Sequence, residues 1–435
     1  MSNAITEIDL SGVSERVSNQ CDVLIIGAGP AGIAAALTLV ASGRDVLVID
    51  KAVFPRDKCC GDGLTTGALR LLEMLGFDPT TVANWQTCSD VWLRSPSGRE
   101  VQLSLPKTSD TQSGQFAAIA PRMELDHALV RHARSLGVRV VEGCSFVAIA
   151  RHTTKDVTVT TDSTGALAEI NAKYIVAADG MWSPVRKAFG AAQSGYLGEW
   201  HAFRQYVSNV TGPASNRLFV WFDADLLPGY AWSFPLPNGR ANIGFGILRG
   251  SKYSVQDMKS LWSEILARPH VRRALGANAT LEGRVTSWPI PARVTSAKLS
   301  AGRALFVGDA ACVADALTGE GIGQALLSGV LAGEAIIETF GRTPSVTRAK
   351  YQRKVRREFF ADHRVSVVMG CIMRTERRTR VGLRIAALNS WSRKLFVRWM
   401  FEDEPRAALF SPRRWHRKFL ARDGAFKASP ERTTN

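Results

Sequence analysis

Residues 22–26 (Asp-Val-Leu-Ile-Ile) form a short, continuous apolar run, the pattern of a parallel strand buried on both faces. The run enters Gly27-Ala-Gly29-Pro-Ala31-Gly32, then a helical stretch from Ile33 to Ser42 that Gly43 ends. Val46 to Ile49 repeat the strand pattern and close on Asp50, read as the first residue beyond the strand. Two further runs, from Tyr174 and from Ala304, lead into the turns Asp179-Gly180 and Gly308-Asp309. Tyr230-Ala-Trp232-Ser-Phe234 alternates instead, so one strand face carries three aromatic rings. The longest apolar candidate, Ile322 to Phe340, contains Gln324, Glu334 and Glu338 and reads as a packed helix, not a membrane span.

Strand, glycine turn, helix, strand and acid, in that order, define a dinucleotide site. Gly27 permits the tight turn, Gly29 lets the backbone approach a pyrophosphate, and Gly32 lets helix and strand pack closely. The helix start offers free N–H groups and a positive dipole end to phosphate. Asp50 can accept from ribose hydroxyls and disfavours a 2′-phosphate, so FAD or NAD is expected and NADP is not. Ala31 and Lys51 are counted with this site.

The glycine turn, Asp179-Gly180, Gly308-Asp309 and the later Leu317-Thr-Gly319-Glu-Gly321-Ile322-Gly323 turn come at intervals that resemble the aromatic-hydroxylase superfamily of flavoproteins over residues 22–340. The resemblance implies FAD. Asp309 would bond the ribityl chain, and Gly319, Gly321 and Ile322 would lie by the flavin pyrimidine edge. Asp179-Gly180 would face the pyrophosphate, and Arg122 would contact FAD from a helix start. No second complete fingerprint exists, so NAD(P)H or another electron donor would visit transiently.

Phe54-Pro-Arg56-Asp-Lys58-Cys59-Cys60-Gly61 and Tyr230-Ala-Trp232-Ser-Phe234-Pro, with Gly244 and Gly246 following, resemble the geranylgeranyl reductase branch. That branch uses reduced flavin to hydrogenate double bonds of prenyl chains. The resemblance places Arg56, Cys60 and Gly61 by the flavin and gives Cys60, Tyr230 and Trp232 catalytic roles. Tyr230, Trp232, Phe234, Gly244 and Gly246 would line a channel for an isoprenoid-like substrate. Two departures stand out: Cys59 replaces a proline, and Asp315-Ala316 replaces an Asn-Pro that shapes the loop beside the flavin. The alternative reading is an FAD monooxygenase, a hydroxylase or epoxidase working through a C4a-hydroperoxide. A flavin halogenase is a further one, although its Trp-x-Trp-x-Ile-Pro run is missing.

The expected architecture is α/β: a Rossmann-type FAD domain with an inserted antiparallel-sheet substrate domain and C-terminal helices. The FAD domain is read as 20–190, with an insertion at about 86–114, resuming at 300–340. The substrate domain is read as 191–299, and a basic helical segment as 341–435. The N-terminal twenty residues are read as loose. The charge changes this picture only at the C-terminus. The net charge is +16, and residues 342–427 hold 23 Lys plus Arg against 7 Asp plus Glu, the whole excess. With Trp391, Trp399 and Trp415 and Phe396, Phe401 and Phe410 nearby, the segment suits an anionic membrane surface better than nucleic acid; a plain solvated helical face is the competing reading. The seven cysteines show no metal or disulfide spacing, and residues 1–20 lack a secretory pattern. The reading is therefore cytoplasmic, with peripheral contact at the inner membrane face. Oligomeric state has no sequence signal.

Overall fold

The computed structural model describes residues 18–105, 114–402, 404–410 and 422–427. Residues 1–17, within the expected loose N-terminus, lie outside the described residues, as do Trp415 and the side chain of Phe410.

The apolar runs assemble into one sheet in the order Ser300–Ala301, Ala304–Phe306, Glu169–Ala177, Gln20–Ile26, Val46–Asp50 and Arg139–Glu142. Every pairing after the first is parallel, and Phe146–His152 with Val157–Thr161 extend the sheet antiparallel. Val23, Leu24 and Ile25 are fully buried, as the unbroken apolar run requires. Helix α1 (Pro30–Val40) starts earlier than the expected Ile33, because a proline at the first helical position gives up an N–H that has no partner there anyway. Asp50 is the last residue of its strand, not the first beyond it.

Helices α2 (Thr66–Met74), α3 (Arg122–Ser135) and α4 (Pro184–Ala188) follow in the same body. Helix α5 (Met258–Ala267) and α6 (Pro269–Leu275) cover one face of a second sheet. There Met258, Leu261, Trp262 and Ile265 bury Phe203, Trp221 and Phe245. This sheet runs Thr280–Ile290, Trp200–Ser208, Arg240–Leu248, Tyr230–Leu236, Leu218–Trp221, Asp90–Arg94 and Glu100–Ser104. It is antiparallel except for the pairing of Leu218–Trp221 with Asp90–Arg94.

Helix α7 (Ile322–Thr339) crosses α1 closely. A Cβ at Gly329 would strike the Ala31 backbone, and one at Gly333 would strike Thr38. Then come α8 (Pro344–Ile372), α9 (Glu376–Ala386) and α10 (Ser390–Met400). Tyr351 on α8 donates to the Phe306 carbonyl at 2.6 Å, which docks α8 on the first sheet. Leu383 and Val397 pack with Leu103, Val220 and Phe222, which sets α9 and α10 over the second sheet. No described helix is long and apolar enough to cross a membrane.

Candidate functional site

A cavity of about 1220 Å³ runs from the glycine turn, past the aromatic strand, to α8, α9 and α10. Single-ligand pockets reach about 1,000 Å³, so there is room for a dinucleotide and a second molecule.

The crevice end is built largely of backbone. Gly27, Gly29 and Ala31 line it, whereas Gly32 lies behind them. A Cβ on Gly32 would overlap the Gly27 carbonyl, so this glycine is needed for packing. No side chain caps α1 at Gly29, which leaves its first N–H groups for an anion. Asp50 accepts from the N–H groups of Ala28 and Ala52, both at 2.8 Å, and so stands rigidly on the crevice wall beside Lys51. Asp179 accepts the Val185 N–H at 3.0 Å, while its Oδ1 is buried with no hydrogen-bond partner among the described residues. Burial raises its pKa. Gly180 and Gly308 adopt φ of 82° and 59°, a region that favours glycine. Asp309 pairs with Lys58 at 3.0 Å, and Gly319, Gly321 and Ile322 complete the wall. An uncapped helix start, a carboxylate fixed by backbone N–H groups and a buried acceptor at Asp179 are features that FAD would fit.

Arg122 lines the crevice but is clasped by Asp126 at 2.8 and 2.7 Å. Arg56, expected beside the flavin, also lines it and is tied to the same carboxylate at 2.8 Å. Burial alone would raise Asp126; Arg122 and Arg56 hold it below the usual carboxylate range.

The Cys59-Cys60-Gly61 run is pinned to the second sheet. Both cysteines are free thiols. Burial pushes the Cys60 thiol up to about 12, so it is neutral at physiological pH. Beneath it Asp62 is fully buried at φ 65°. Tyr206 and Asn242 donate to its Oδ2, both at 2.7 Å. Burial still pushes Asp62 up to about 6, against Arg204 and these donors. Arg204 binds Asp57 at 2.8 and 3.0 Å and the Cys60 carbonyl at 3.2 Å. Trp232 Nε1 donates to Asn242 Oδ1 at 3.1 Å. Asp62, Arg204, Tyr206 and Asn242 escaped the sequence reading. For Arg204, Tyr206 and Asn242 the available signal was a polar group within a largely buried strand.

Tyr230, Trp232 and Phe234 all face the cavity, opposite Gly246, Gly244 and Asn242 in register. Gly246 lines it. Gly244, expected to do so, does not: the Trp232 ring lies where its Cβ would be, so this glycine seats the tryptophan. Tyr230 OH donates to the Thr318 carbonyl. Farther out the walls are Val220, Phe222, Met373, Leu383, Phe396 and Trp399. Ile372, Ile385 and Trp391 line the cavity and are also exposed, which marks its outer mouth. No sequence motif marks this half of the wall.

The Asp315-Ala316 departure has its own architecture. Asp315 Oδ1 accepts from the N–H groups of Leu317 and Thr318 at 3.0 and 2.8 Å. Its Oδ2 accepts from Ser366 at 2.7 Å and Arg406 at 3.0 Å. The side chain thus shapes the turn and ties it to the C-terminal segment.

A glycine turn at the end of a parallel strand, Asp-Gly and Gly-Asp turns beside it, and an apolar channel opening onto the crevice define an FAD-dependent oxidoreductase. The comparisons agree. The sequence profile described as FAD binding domain matches residues 20–357. Menaquinone reductase of Mycobacterium tuberculosis (strain CDC 1551 / Oshkosh) is 33% identical, over 74% of this chain and 77% of that protein. Digeranylgeranylglycerophospholipid reductase 1 of Methanopyrus kandleri is 30% identical, over 78% and 86%. The crystal structure of a geranylgeranyl bacteriochlorophyll reductase-like protein from Thermoplasma acidophilum superposes with TM-score 0.72 at 20% identity, over 90% and 98%. The chain belongs to the geranylgeranyl reductase family of FAD-dependent oxidoreductases.

Proposed function

We propose that this protein reduces carbon–carbon double bonds in the isoprenoid chain of a membrane lipid or quinone. One observation carries the reading: the cofactor crevice opens without a break into an apolar, aromatic-walled channel. Reduced FAD supplies a hydride when bound, and NAD(P)H or another donor recharges it. The chain's own residues bind and orient. Gly27, Gly29, Asp50, Asp179 and Asp309 hold the cofactor. Tyr230, Trp232 and Phe234 flatten the prenyl chain and exclude water. Cys60 and Gly61 form the floor where crevice and channel meet. The curated relatives are named for prenylated lipids, which supports this substrate class. Residues 20–85, 115–190 and 300–340 serve as the FAD domain, and the second sheet as the substrate domain.

The mouth supports a membrane encounter. Ile385 and Trp391 are exposed there, Val381 and Leu388 are exposed on the same stretch of chain, and residues 374–394 carry Arg374, Arg377, Arg378, Arg380, Arg384, Arg393 and Lys394. Apolar side chains within a basic collar suit an anionic bilayer, at the cytoplasmic face that the free thiols favour. The full chain should pellet with phosphatidylglycerol vesicles and not with phosphatidylcholine vesicles, and Trp391→Asp should weaken pelleting; equal binding to both vesicles removes the membrane role.

The chemistry is tested by incubating the FAD-loaded enzyme and a reductant with a prenyl-lipid panel in air. Gain of two hydrogens per bond supports the reading. Gain of oxygen moves the protein to the monooxygenases.

A further inference from the structure

Glu320 sits between Gly319 and Gly321 and faces the cavity near Cys60 and Tyr230. Its Oε1 accepts the Ile322 N–H at 3.1 Å, which folds the side chain back over the start of α7. Glu402 approaches the same helical turn from the C-terminal segment; its Oε2 lies 3.4 Å from where a Cβ on Gly323 would be. Thr65 donates to Glu402 at 3.0 Å, and Gln324 donates to its other oxygen. The nearby cations serve other anions: Arg122 is clasped by Asp126, and Arg406 binds Asp315 at 3.0 Å, with Glu402 at 3.8 Å.

We infer that Glu320 is the catalytic acid of the reduction, giving its proton to one alkene carbon as the other receives hydride. The inference rests on the reductase reading. The π bond breaks, two C–H bonds form, and both electrons come from reduced flavin, which is reoxidised. Glu320 is left as a carboxylate and regains a proton from the medium or from Glu402.

The other acids of the site are poorer candidates. The Cys60 thiol, pushed up to about 12, gives up its proton too reluctantly. Burial raises Tyr230 well above its ordinary value, and its hydroxyl already donates to Thr318. Asp62 does not reach the cavity and is engaged by Tyr206 and Asn242. Burial, then the charge of Glu402, push Glu320 up to about 8, with the Ile322 and Gly323 N–H groups opposing and Asp315 adding. Burial likewise pushes Glu402 up to about 7, against Arg406. A carboxylic acid still protonated at neutral pH but close to ionising is the best-matched donor.

In the FAD-loaded full chain, Glu320→Gln should lower turnover about 100-fold with FAD affinity changed less than about threefold, and Glu320→Asp should restore part of it. Wild-type turnover should fall as pH rises through about 8, and that limb should vanish in Glu320→Gln. Infrared difference spectra provide a readout without turnover: a protonated-carboxyl band should titrate near the same pH and be missing in Glu320→Gln. Glu402→Gln removes the neighbouring charge and should move both transitions to lower pH. If Glu320→Gln keeps wild-type turnover while the wild type hydrogenates, the acid role is overturned and the reductase reading stands. If the wild type hydrogenates no prenyl lipid, both fall. If Glu320→Gln fails to load FAD, the Glu402→Gln shift decides, and unmoved transitions overturn the assignment.

Discussion

The crevice and the channel are two ends of one cavity, yet they are built by opposite means. At the crevice, glycines and helix N–H groups do most of the work, and the side chains that matter are short acids held by backbone: Asp50 by Ala28 and Ala52, Asp179 by Val185. At the channel, side chains make up most of the surface. The wall consists of rings and aliphatic groups from the second sheet, α8, α9 and α10. Added atoms should therefore be intolerable at the first end. At the second they should be absorbed and register as altered selectivity.

The sharpest way to break this contrast is Gly32→Val. Its Cβ would enter the Gly27 carbonyl, and neither backbone can retreat without moving the strand or α1. The expected outcome is a chain purified without flavin and destabilised by about 3 kcal/mol, seen as loss of flavin absorbance and a lower denaturation midpoint. A yellow, stable variant would show that the crevice yields more than its packing implies.

Next in size is the ionisation of Asp62, which joins the two ends. Its folded pKa of about 6 lies above the unfolded value, 3.8. Between these values the folded state binds more protons than the unfolded state, so stability falls as pH rises from about 4 to about 6. The full contribution is present below pH 4 and lost above pH 6, and the shift corresponds to about 3 kcal/mol. Asp62→Asn should flatten that part of the pH–stability curve of the apoprotein. An unchanged slope would mean that another group causes it.

These two residues also show what the sequence could reveal. Gly32 was legible because the whole dinucleotide unit is local: one strand, one turn and one helix within about thirty residues, with a backbone demand that only glycine meets. The aromatic strand was legible by its alternation. Asp62 stood in plain view after Cys60-Gly61, but its partners Tyr206 and Asn242 lie 144 and 180 residues away. Asp315 was noticed as a departure, although Arg406, 91 residues on, supplies half its purpose. The channel half of the wall stayed silent for another reason. Leu383 or Phe396 facing a cavity has the same helical pattern as one facing a core.

Asp309→Ala probes the polar side of the crevice. It removes one acceptor on the crevice wall and leaves Lys58 without the partner it now holds at 3.0 Å. A lost charged hydrogen bond is worth about 1.5–3 kcal/mol, so FAD affinity should fall about 10- to 100-fold, measured by fluorescence titration of the apoprotein. Full flavin occupancy at stoichiometric FAD would remove Asp309 from the binding set.

Leu383→Trp sharpens the contrast from the channel side. Leu383 is buried on α9, lines the cavity and packs with Val397 on α10. A larger ring here narrows the path well away from the glycine turn, so FAD content should stay at the wild-type level. Short prenyl substrates, which end before this point, should be turned over at nearly wild-type kcat/KM. Long ones must pass the ring, and steric exclusion worth about 1–3 kcal/mol should cost them about tenfold or more. The length dependence carries the argument, because a general loss of stability would slow every substrate alike. Equal losses for short and long chains would mean that α9 supports the fold without touching the substrate, and the channel would then end at the aromatic strand.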